Sequence, residues 1–396
     1  MTTKHLVQFV NAGSVLVPTG TPVITAARLA GVEISQPCGG QGRCGRCLVR
    51  ALDGRLQQRL TPRLLPSDIV AGYALACHSS IVEPVTILVP PQQEIAQRLV
   101  TERVAPEISV LEHYDASQCQ PVRLFNLTLS PPSIDDQTDD WGRLQMGLSQ
   151  VLDRDLFQVS LPVLRKLGNV LRQSAWRVTA LVETDTWDRP SGPARVVDVY
   201  PGHVAPDKML LGAAIDIGTT TVTLWLVDLR CGRVVSQAAD YNGQIARGED
   251  VISRIIYASK GDGARELRAL VLNTIHGLLR TACQAISAQP ADIVKATITG
   301  NTTMMHLLLE IPPASIRLEP FIPAVNHPST LRAAELGLDI HPDATVDCLP
   351  GVASYVGADI TAGVLAANLN RQDTVTLFMD IGTNGELVLG NREWLV

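Results

Sequence analysis

The stretch QPCGGQGRCGRC at residues 36–47 carries Cys38, Cys44 and Cys47 at the spacing C-x5-C-x2-C, and Cys77 follows thirty residues later. Iron–sulfur clusters are held by cysteine thiolates, and three ligands on one loop with a fourth across the fold enclose a compact cluster. Structural zinc sites are the alternative, but they usually use paired C-x2-C knuckles, whereas Cys38 and Cys77 each stand alone. We therefore predict that these four cysteines hold one [2Fe-2S] cluster.

The residues on either side of this loop predict a small α+β domain with a β-grasp sheet. Apolar alternation indicates two strands joined by a short turn, then a helix that ends at Gly31, and further strands after the cysteine loop. We expect this domain to cover residues 1–92 and a polar linker to follow at 93–120. The predicted strands lie at 6–10, 14–18, 47–52 and 81–90.

The composition and the N-terminal sequence indicate which partners and which cellular location to expect. The chain has 396 residues, 46% hydrophobic and 18% charged, with a formal net charge of −6. Lysine and arginine are scattered, so we expect no nucleic-acid partner. The N-terminus lacks the pattern of a signal peptide and no run of about 18 apolar residues occurs, so we expect a cytoplasmic protein without a membrane anchor.

The four isolated cysteines are predicted to be free thiols. They are Cys119, Cys231, Cys283 and Cys348.

Residues 121–208 predict a second, small α+β domain, which we call the middle domain. It begins with the strand VRLFNLTLS and the loop PPSIDDQTDD, whose acidic end is suited to cap a helix at 141–152. A second helix at 161–175 and the strands WRVTALVET and ARVVDVYPG complete it. Nothing in this segment indicates chemistry.

Two similar turns mark the domain predicted at 209–396: DIGTTT at 216–221 and DIGTNGE at 380–386. Each places an aspartate at the end of an apolar strand, followed by Gly-Thr and a returning strand. Backbone amides and hydroxyls of such a turn bind phosphate, and the carboxylate holds Mg²⁺ through water. Ordinary hairpins also use Asp and Gly, but a second copy favours the phosphate interpretation. The predicted nucleotide-binding residues are Asp216, Gly218, Thr219, Thr220, Thr221, Asp380, Gly382, Thr383, Asn384, Gly385 and Glu386.

Helices alternate with strands between the two turns, which predicts α/β layers. The helices are expected at 249–259, 264–286, 302–309 and 357–369, with the strand KATITG among them. No general base stands out: Asp216, Asp380 and Glu386 are candidates. Asp250 and Asp359 are predicted to be helix-start residues.

These motifs resemble known families. PCGGQGRCGRC with LACHS around Cys77 is similar to vertebrate-type and quinone-reductase-type ferredoxins. The paired turns resemble those of acetate and sugar kinases, heat-shock chaperone ATPases and actin, which clamp ATP between two ribonuclease-H-like halves. Together with YNGQIARGEDVISRI, TGNTTMMHLLL, LPGVASYVGADITAG and FMDIGTNGELVLGN, the domain order resembles the reductive activators of corrinoid proteins over essentially the whole chain.

The resemblance implies an ATP-dependent activase that reduces Co(II) to Co(I) in a corrinoid methyltransferase component or iron–sulfur partner. Its implied cofactors are the [2Fe-2S] cluster, ATP and Mg²⁺, and its implied partners are the corrinoid protein, an electron donor and a second copy of the chain. An electron from a cluster at roughly −400 mV must move uphill to reach Co(I), so ATP would supply the free energy. His306, on an apolar helix, is predicted to be packed and not a cobalt ligand.

The domain with the two turns departs from this family pattern, because only ten residues follow Glu386. A ribonuclease-H-like half needs on the order of 100 residues. We expect a multidomain protein whose third domain is a partial α/β ribonuclease-H-like fold from a truncated or split gene product, so ATP hydrolysis by this chain alone is not implied. Three alternatives stay open: a redox module on a degenerate ATPase-fold scaffold, a small-molecule kinase with an accessory cluster, and a non-catalytic module with a structural cluster.

Overall fold

The structure is a computed structural model that describes residues 3–10, 12–34, 47–59, 69–90, 120–184, 192–205, 208–382 and 385–396. The chain forms two compact units, residues 1–107 with 244–254 and residues 108–243 with 255–396. No helix among the described residues is both long enough and apolar enough to cross a bilayer.

Among its described residues, the N-terminal domain is a five-stranded mixed sheet with one α-helix. Its elements are β1 (Lys4–Phe9), β2 (Ser14–Pro18), α1 (Val23–Leu29), β3 (Leu48–Asp53), β4 (Leu56–Gln58), β5 (Tyr73–Leu75), β6 (Ser79–Ile81) and β7 (Val85–Leu88). The sheet order is β2-β1-β7-β3-β5, with β1 and β7 parallel and the other pairs antiparallel, and β4 pairs with β6 separately. This arrangement is the predicted β-grasp fold.

The strand predicted at 81–90 is in fact divided, which corrects that prediction. The segment contributes the end of β6 to the small two-stranded sheet and all of β7 to the main sheet. Pro84 stands between them and has no backbone N–H to donate to a ladder. The chain therefore changes sheets at this residue.

The described part of the middle domain is a four-stranded sheet with two helices. Its elements are β8 (Val122–Thr128), α2 (Asp140–Val151), β9 (Phe157–Val159), α3 (Leu161–Gln173), β10 (Arg177–Glu183) and β11 (Ala194–Pro201), in the sheet order β8-β10-β11-β9. Asp139 caps α2 by accepting hydrogen bonds from the backbone N–H groups of Trp141 and Gly142. Leu148 and Leu171 of the two helices are fully buried in the core.

A six-stranded mixed sheet organises the C-terminal domain. Its strands are β12 (Leu211–Ile217), β13 (Thr221–Asp228), β14 (Arg233–Tyr241), β15 (Ile293–Gly300), β16 (Leu331–Arg332) and β17 (Thr345–Cys348). The order is β14-β13-β12-β15-β17-β16: an antiparallel meander, then β15 and β17 parallel to β12. This is the strand arrangement of a ribonuclease-H-like half, as predicted.

Six helices and a hairpin lie in the rest of the described chain, and the first of these helices begins in the smaller compact unit and ends in the larger. The helices are α4 (Val251–Ala258), α5 (Gly263–Ala285), α6 (Thr302–Leu308), α7 (Ala314–Arg317), α8 (Ala333–Leu336) and α9 (Ala358–Ala366), and the hairpin strands are β18 (Thr376–Ile381) and β19 (Gly385–Gly390). Helix α5 packs on β13 and β14. The hairpin forms its own two-stranded sheet and packs on α9 through Phe378 and Val388.

Candidate functional site

Two of the four predicted cluster ligands lie side by side in the N-terminal domain. Cys47 Sγ and Cys77 Sγ are 3.2 Å apart. Residues Leu48 and Leu75 pair across β3 and β5, and the Ala76 N–H donates to the Cys47 carbonyl at 2.8 Å, so the sheet itself holds the two cysteines together. Cys38 and Cys44 lie outside the described residues.

The geometry of this pair fits a shared metal centre. The sulfurs are too far apart for a disulfide, which needs about 2.05 Å. Two thiolates bound to one tetrahedral metal at about 2.3 Å lie roughly 3.8 Å apart, close to the observed spacing. Cys47 is fully buried and Cys77 is half-buried, so a bound centre would be shielded on one side. The described pair therefore fits the predicted cluster.

The first DIGT turn lies at the carboxyl end of β12, beside the end of β15. Because β12 and β15 are parallel, Ile217 and Gly300 end next to each other. The Gly218 N–H donates to the Thr221 carbonyl at 2.9 Å, and a Cβ on Gly218 would lie 2.6 Å from that oxygen. Only glycine therefore fits at residue 218, as the phosphate-turn interpretation requires.

Two asparagines hold this turn, and sequence reasoning gave neither of them a role. Asn301 donates from Nδ2 to Thr219 Oγ1 at 3.0 Å while its Oδ1 caps α6 by accepting from the Met304 N–H. Asn242 is fully buried and donates from Nδ2 to the Gly218 carbonyl at 2.9 Å. The signal for both was present in TGNTT and YNGQ, the two motifs that supported the family resemblance.

Four carboxylates from four elements interact beside the turn: Asp216 on β12, Asp359 on α9, Asp380 on β18 and Glu386 on β19. Burial, then repulsion from Asp359 and Asp380, raises the pKa of Asp216 to about 6. Burial and the charge of Asp380 likewise raise the pKa of Asp359, and burial with both neighbouring aspartates raises that of Glu386. The fold thus gathers negative charge at one place.

Lysine and arginine side chains of the described residues do not neutralise this acidic group. Asp380 and Glu386 face each other directly across the hairpin, an arrangement that is destabilising for two like charges. Within the described ranges, no lysine or arginine forms an ion pair with any of the four carboxylates. No described set of three His, Cys, Asp or Glu side chains is close enough to hold a metal ion directly. A cation that keeps its water shell, as Mg²⁺ usually does, fits such a site.

Asp359 and Asp250 were both predicted to be helix-start residues, and both lie there. Asp250 caps α4 by accepting from the Ser253 N–H at 2.8 Å and the Ser253 hydroxyl at 2.9 Å. Asp359 lies in the first turn of α9 and accepts from the Ile360 N–H, but it also belongs to the acidic group. Close backbone packing explains its position, because a Cβ on Gly357 would lie 2.5 Å from the Cα of Asn301.

The other residues predicted to bind nucleotide differ in how far they are buried. Thr219 is buried, whereas Gly382 has open space where a Cβ would be and Gly385 is exposed. The tip of the second turn, Thr383 and Asn384, lies outside the described residues. The structure thus brings the two aspartates of the repeated motif together and leaves the second phosphate turn a prediction.

His306, Cys283 and Cys348 are buried side chains that pack inside the fold. His306 is buried, with Nδ1 donating to the Thr302 carbonyl at 2.8 Å and Nε2 accepting from the Ala324 N–H at 3.1 Å. Both ring nitrogens are used, so it is packed as predicted. Burial raises the thiol pKa of Cys283 to about 11 and that of Cys348 to about 12, so both stay protonated.

Three family descriptions match successive parts of the chain. Residues 11–82 match a 2Fe-2S iron-sulfur cluster binding domain, residues 116–205 match the RACo linker region, and residues 211–372 match the RACo middle region. The matched linker region overlaps our middle domain, and the matched middle region overlaps our C-terminal domain. The first match favours an iron–sulfur cluster over zinc on the four cysteines.

Two relatives extend these matches. The chain is 28% identical over 363 residues to the corrinoid activation enzyme RamQ of Eubacterium limosum, covering 91% of this chain and 55% of that protein. It is 37% identical to a solved reductive activator for corrinoid, iron-sulfur protein, with a TM-score of 0.66, covering 99% of this chain and 62% of that chain. The chain thus spans roughly three fifths of these relatives. It carries a 2Fe-2S cluster binding domain followed by RACo linker and middle regions, and it is homologous to the reductive activators of corrinoid proteins.

Proposed function

We propose that this chain passes electrons from a [2Fe-2S] cluster to a corrinoid protein, reducing Co(II) to Co(I), and that ATP with Mg²⁺ drives the transfer. The observation that carries the proposal is the presence, in one chain, of a paired thiol site and a separate group of carboxylates around a duplicated DIGT turn. A simple ferredoxin would need only the first. Both relatives are described as activators of corrinoid proteins, which supports the choice of a corrinoid partner.

The cysteines determine how the electron is held. When bound, the cluster supplies one-electron transfer. Cys47 and Cys77 would ligate it from the end of the β3–β5 ladder, with Cys38 and Cys44 from the preceding loop. Cys47 is fully buried, and burial keeps water away from that side of the centre. The half-buried Cys77 lies closer to solvent and gives the electron a route to a docked partner.

The acidic group determines how nucleotide would be used. Asp216, Asp359, Asp380 and Glu386 would hold a hydrated Mg²⁺. The backbone of the 218–220 turn, fixed by its two asparagines, would bind the phosphates. Mg²⁺–phosphate binding would bring the hairpin and β12 together, because it replaces their mutual repulsion with attraction. Such closure can favour the partner-bound state in which cobalt accepts the electron.

Anaerobic visible spectroscopy of a Co(II) corrinoid iron–sulfur protein tests the proposal. The reduced chain with MgATP is expected to generate the Co(I) spectrum, and the Asp216→Asn variant is expected to do so far more slowly. Equal rates with and without MgATP would instead support the redox module on a degenerate scaffold. No Co(I) under any condition, with the cluster intact, would contradict the proposed partner.

A further inference from the structure

Two buried polar atoms next to the fourth cluster ligand have no hydrogen-bond partner. They are Nδ1 of His78 and Oγ of Ser79, the two residues directly after Cys77. Only five buried side-chain nitrogen or oxygen atoms in the described parts of the chain lack a partner, and two of the five lie here. A buried polar group without a partner requires an explanation, such as a bound water, ion or cofactor.

Ser79 is the more restricted of the two. Its side chain is 2% exposed, so bulk solvent does not satisfy its hydroxyl. Its backbone is engaged in β6, opposite Gln58 of β4, which fixes the direction of the side chain. Leaving such a hydroxyl unpaired costs free energy. An acceptor that the protein alone does not provide would remove this cost.

We propose that the Ser79 hydroxyl donates a hydrogen bond to a sulfur of the bound [2Fe-2S] cluster and raises its reduction potential. The inference rests on the cluster of the proposed function. Two Cα–Cα steps of 3.80 Å keep Ser79 within about 7.6 Å of Cys77, near enough for its hydroxyl to approach a centre bound by that cysteine. Cluster sulfurs accept hydrogen bonds, and such bonds help to set the potential. The bond is stronger in the reduced state, because reduction makes the cluster more negative.

The structure offers a matched control one residue away. Ser80 lies on the same strand, is half-buried and pairs with Gln57, and its hydroxyl is not among the atoms left without a partner. Because successive side chains of a strand point to opposite faces, Ser80 faces away from the side that Ser79 faces. Ser80→Ala therefore removes an equal hydroxyl without reaching the same acceptor.

The test is an electron paramagnetic resonance redox titration of the cluster-loaded full chain. Ser79→Ala is expected to lower the reduction equilibrium constant about tenfold, equivalent to 59 mV for one electron, while Ser80→Ala leaves it unchanged. In the metal-free chain, Ser79→Ala is expected to leave the thermal midpoint unchanged or higher, because no partner is lost.

Other outcomes separate this inference from the proposed function. Equal potentials in loaded wild type and Ser79→Ala would overturn the Ser79 assignment alone. Ser79→Gly repeats the measurement if Ser79→Ala does not load. If both variants fold but take up no iron, Ser79 acts in assembly and the tuning role is wrong. A wild-type chain that takes up no iron would instead overturn the cluster on which the proposed function depends.

Discussion

At the scale of one residue, the buried carboxylate of Asp216 lowers the stability of the folded chain. Its carboxyl has a pKa of about 6 against an ordinary value of 3.8, because it is buried near Asp359 and Asp380. The folded state therefore binds a proton more tightly than the unfolded state does. Between about pH 4 and pH 6 stability falls as pH rises, and above pH 6 the full penalty remains. Such a penalty is expected where charge is kept for a ligand.

Replacing Asp216 by asparagine is accordingly expected to stabilise the chain. In EDTA at pH 7.5, urea unfolding should give a free energy of unfolding higher by on the order of 2–3 kcal/mol than wild type, and this difference should shrink to about 1 kcal/mol at pH 4.5. Asp240→Asn, an exposed acid on β14, serves as the control and should change neither value. A less stable Asp216→Asn at pH 7.5 would show that the carboxylate is compensated by the protein.

Some residues of this site could be predicted from the sequence and others could not, for a physical reason. Asp216 and Asp380 were predicted because a duplicated local motif contains both. Asp359 was assigned only to a helix start, since its role depends on α9 packing against the first residues of α6, which no local pattern shows. Asn301 was missed for the same reason: an N-cap asparagine is common, and its second contact, to Thr219, lies far away in sequence.

The β18–β19 hairpin repeats the start of the β12–β13 meander but not its surroundings. When the two DIG motifs are aligned, Ile215 corresponds to Met379. Their partners on the returning strands, Leu224 and Leu387, then correspond to each other as well. Ile215 and Leu224 are buried, whereas Met379 is 55% exposed and Leu387 is 65% exposed. One face of the hairpin is thus packed on α9 and its other, apolar face is uncovered in the described structure.

This asymmetry predicts unequal effects of shortening hairpin side chains. Phe378→Ala should destabilise the hairpin by about 2 kcal/mol, below the 3–5 kcal/mol of a fully buried phenylalanine, because its ring contacts α9 at Gly363. Leu387→Ala, on the uncovered face, should stay within about 0.5 kcal/mol of wild type. Hydrogen exchange of residues 376–390 measures both. Equal protection in the two variants would mean that the hairpin does not depend on α9.

Some helices and strands could be predicted from the sequence, and others could not. The β12–β13 hairpin and α5 were identifiable from alternation and length, and both are present. Strand β17 was not predicted, although all four of its residues are buried and it pairs in parallel with β15. Its sequence TVDC is short and contains Asp347, whose carboxylate forms an ion pair with Lys295 of the neighbouring strand. A buried polar strand of this kind has no sequence signal of its own.

At the scale of the whole molecule, buried charges join the middle and C-terminal domains. Lys295 of β15 forms ion pairs with Glu183 of β10 at 2.9 Å and with Asp347 of β17 at 2.6 Å. Arg195 of β11 also pairs with Glu183, at 3.1 Å. The opposite end of β15 leads into Asn301 at the candidate nucleotide site. The same strand therefore contacts both the middle domain and the acidic site.

Breaking this junction is expected to be costly. Lys295→Ala leaves Glu183 partly compensated and Asp347 buried without its partner, so the free energy of unfolding should fall by about 3–5 kcal/mol. Arg332→Ala is the control: its ion pair with Asp343 is 3.7 Å long and half-exposed, so the loss should be at most about 1 kcal/mol. Urea unfolding measures both. Similar small losses would mean that the ion pairs of Lys295 contribute little to this junction.

Whether this chain is an electron carrier is decided by the metal content and the electron paramagnetic resonance spectrum of the anaerobically purified chain before and after dithionite. We predict two irons and two sulfides per chain and an S = 1/2 signal that appears on reduction. Cys77→Ser should abolish the signal, while Cys231→Ser, an exposed thiol far along the chain, should keep it. Zinc in place of iron, or an iron centre that dithionite does not reduce, would contradict the assignment of this chain as an electron carrier.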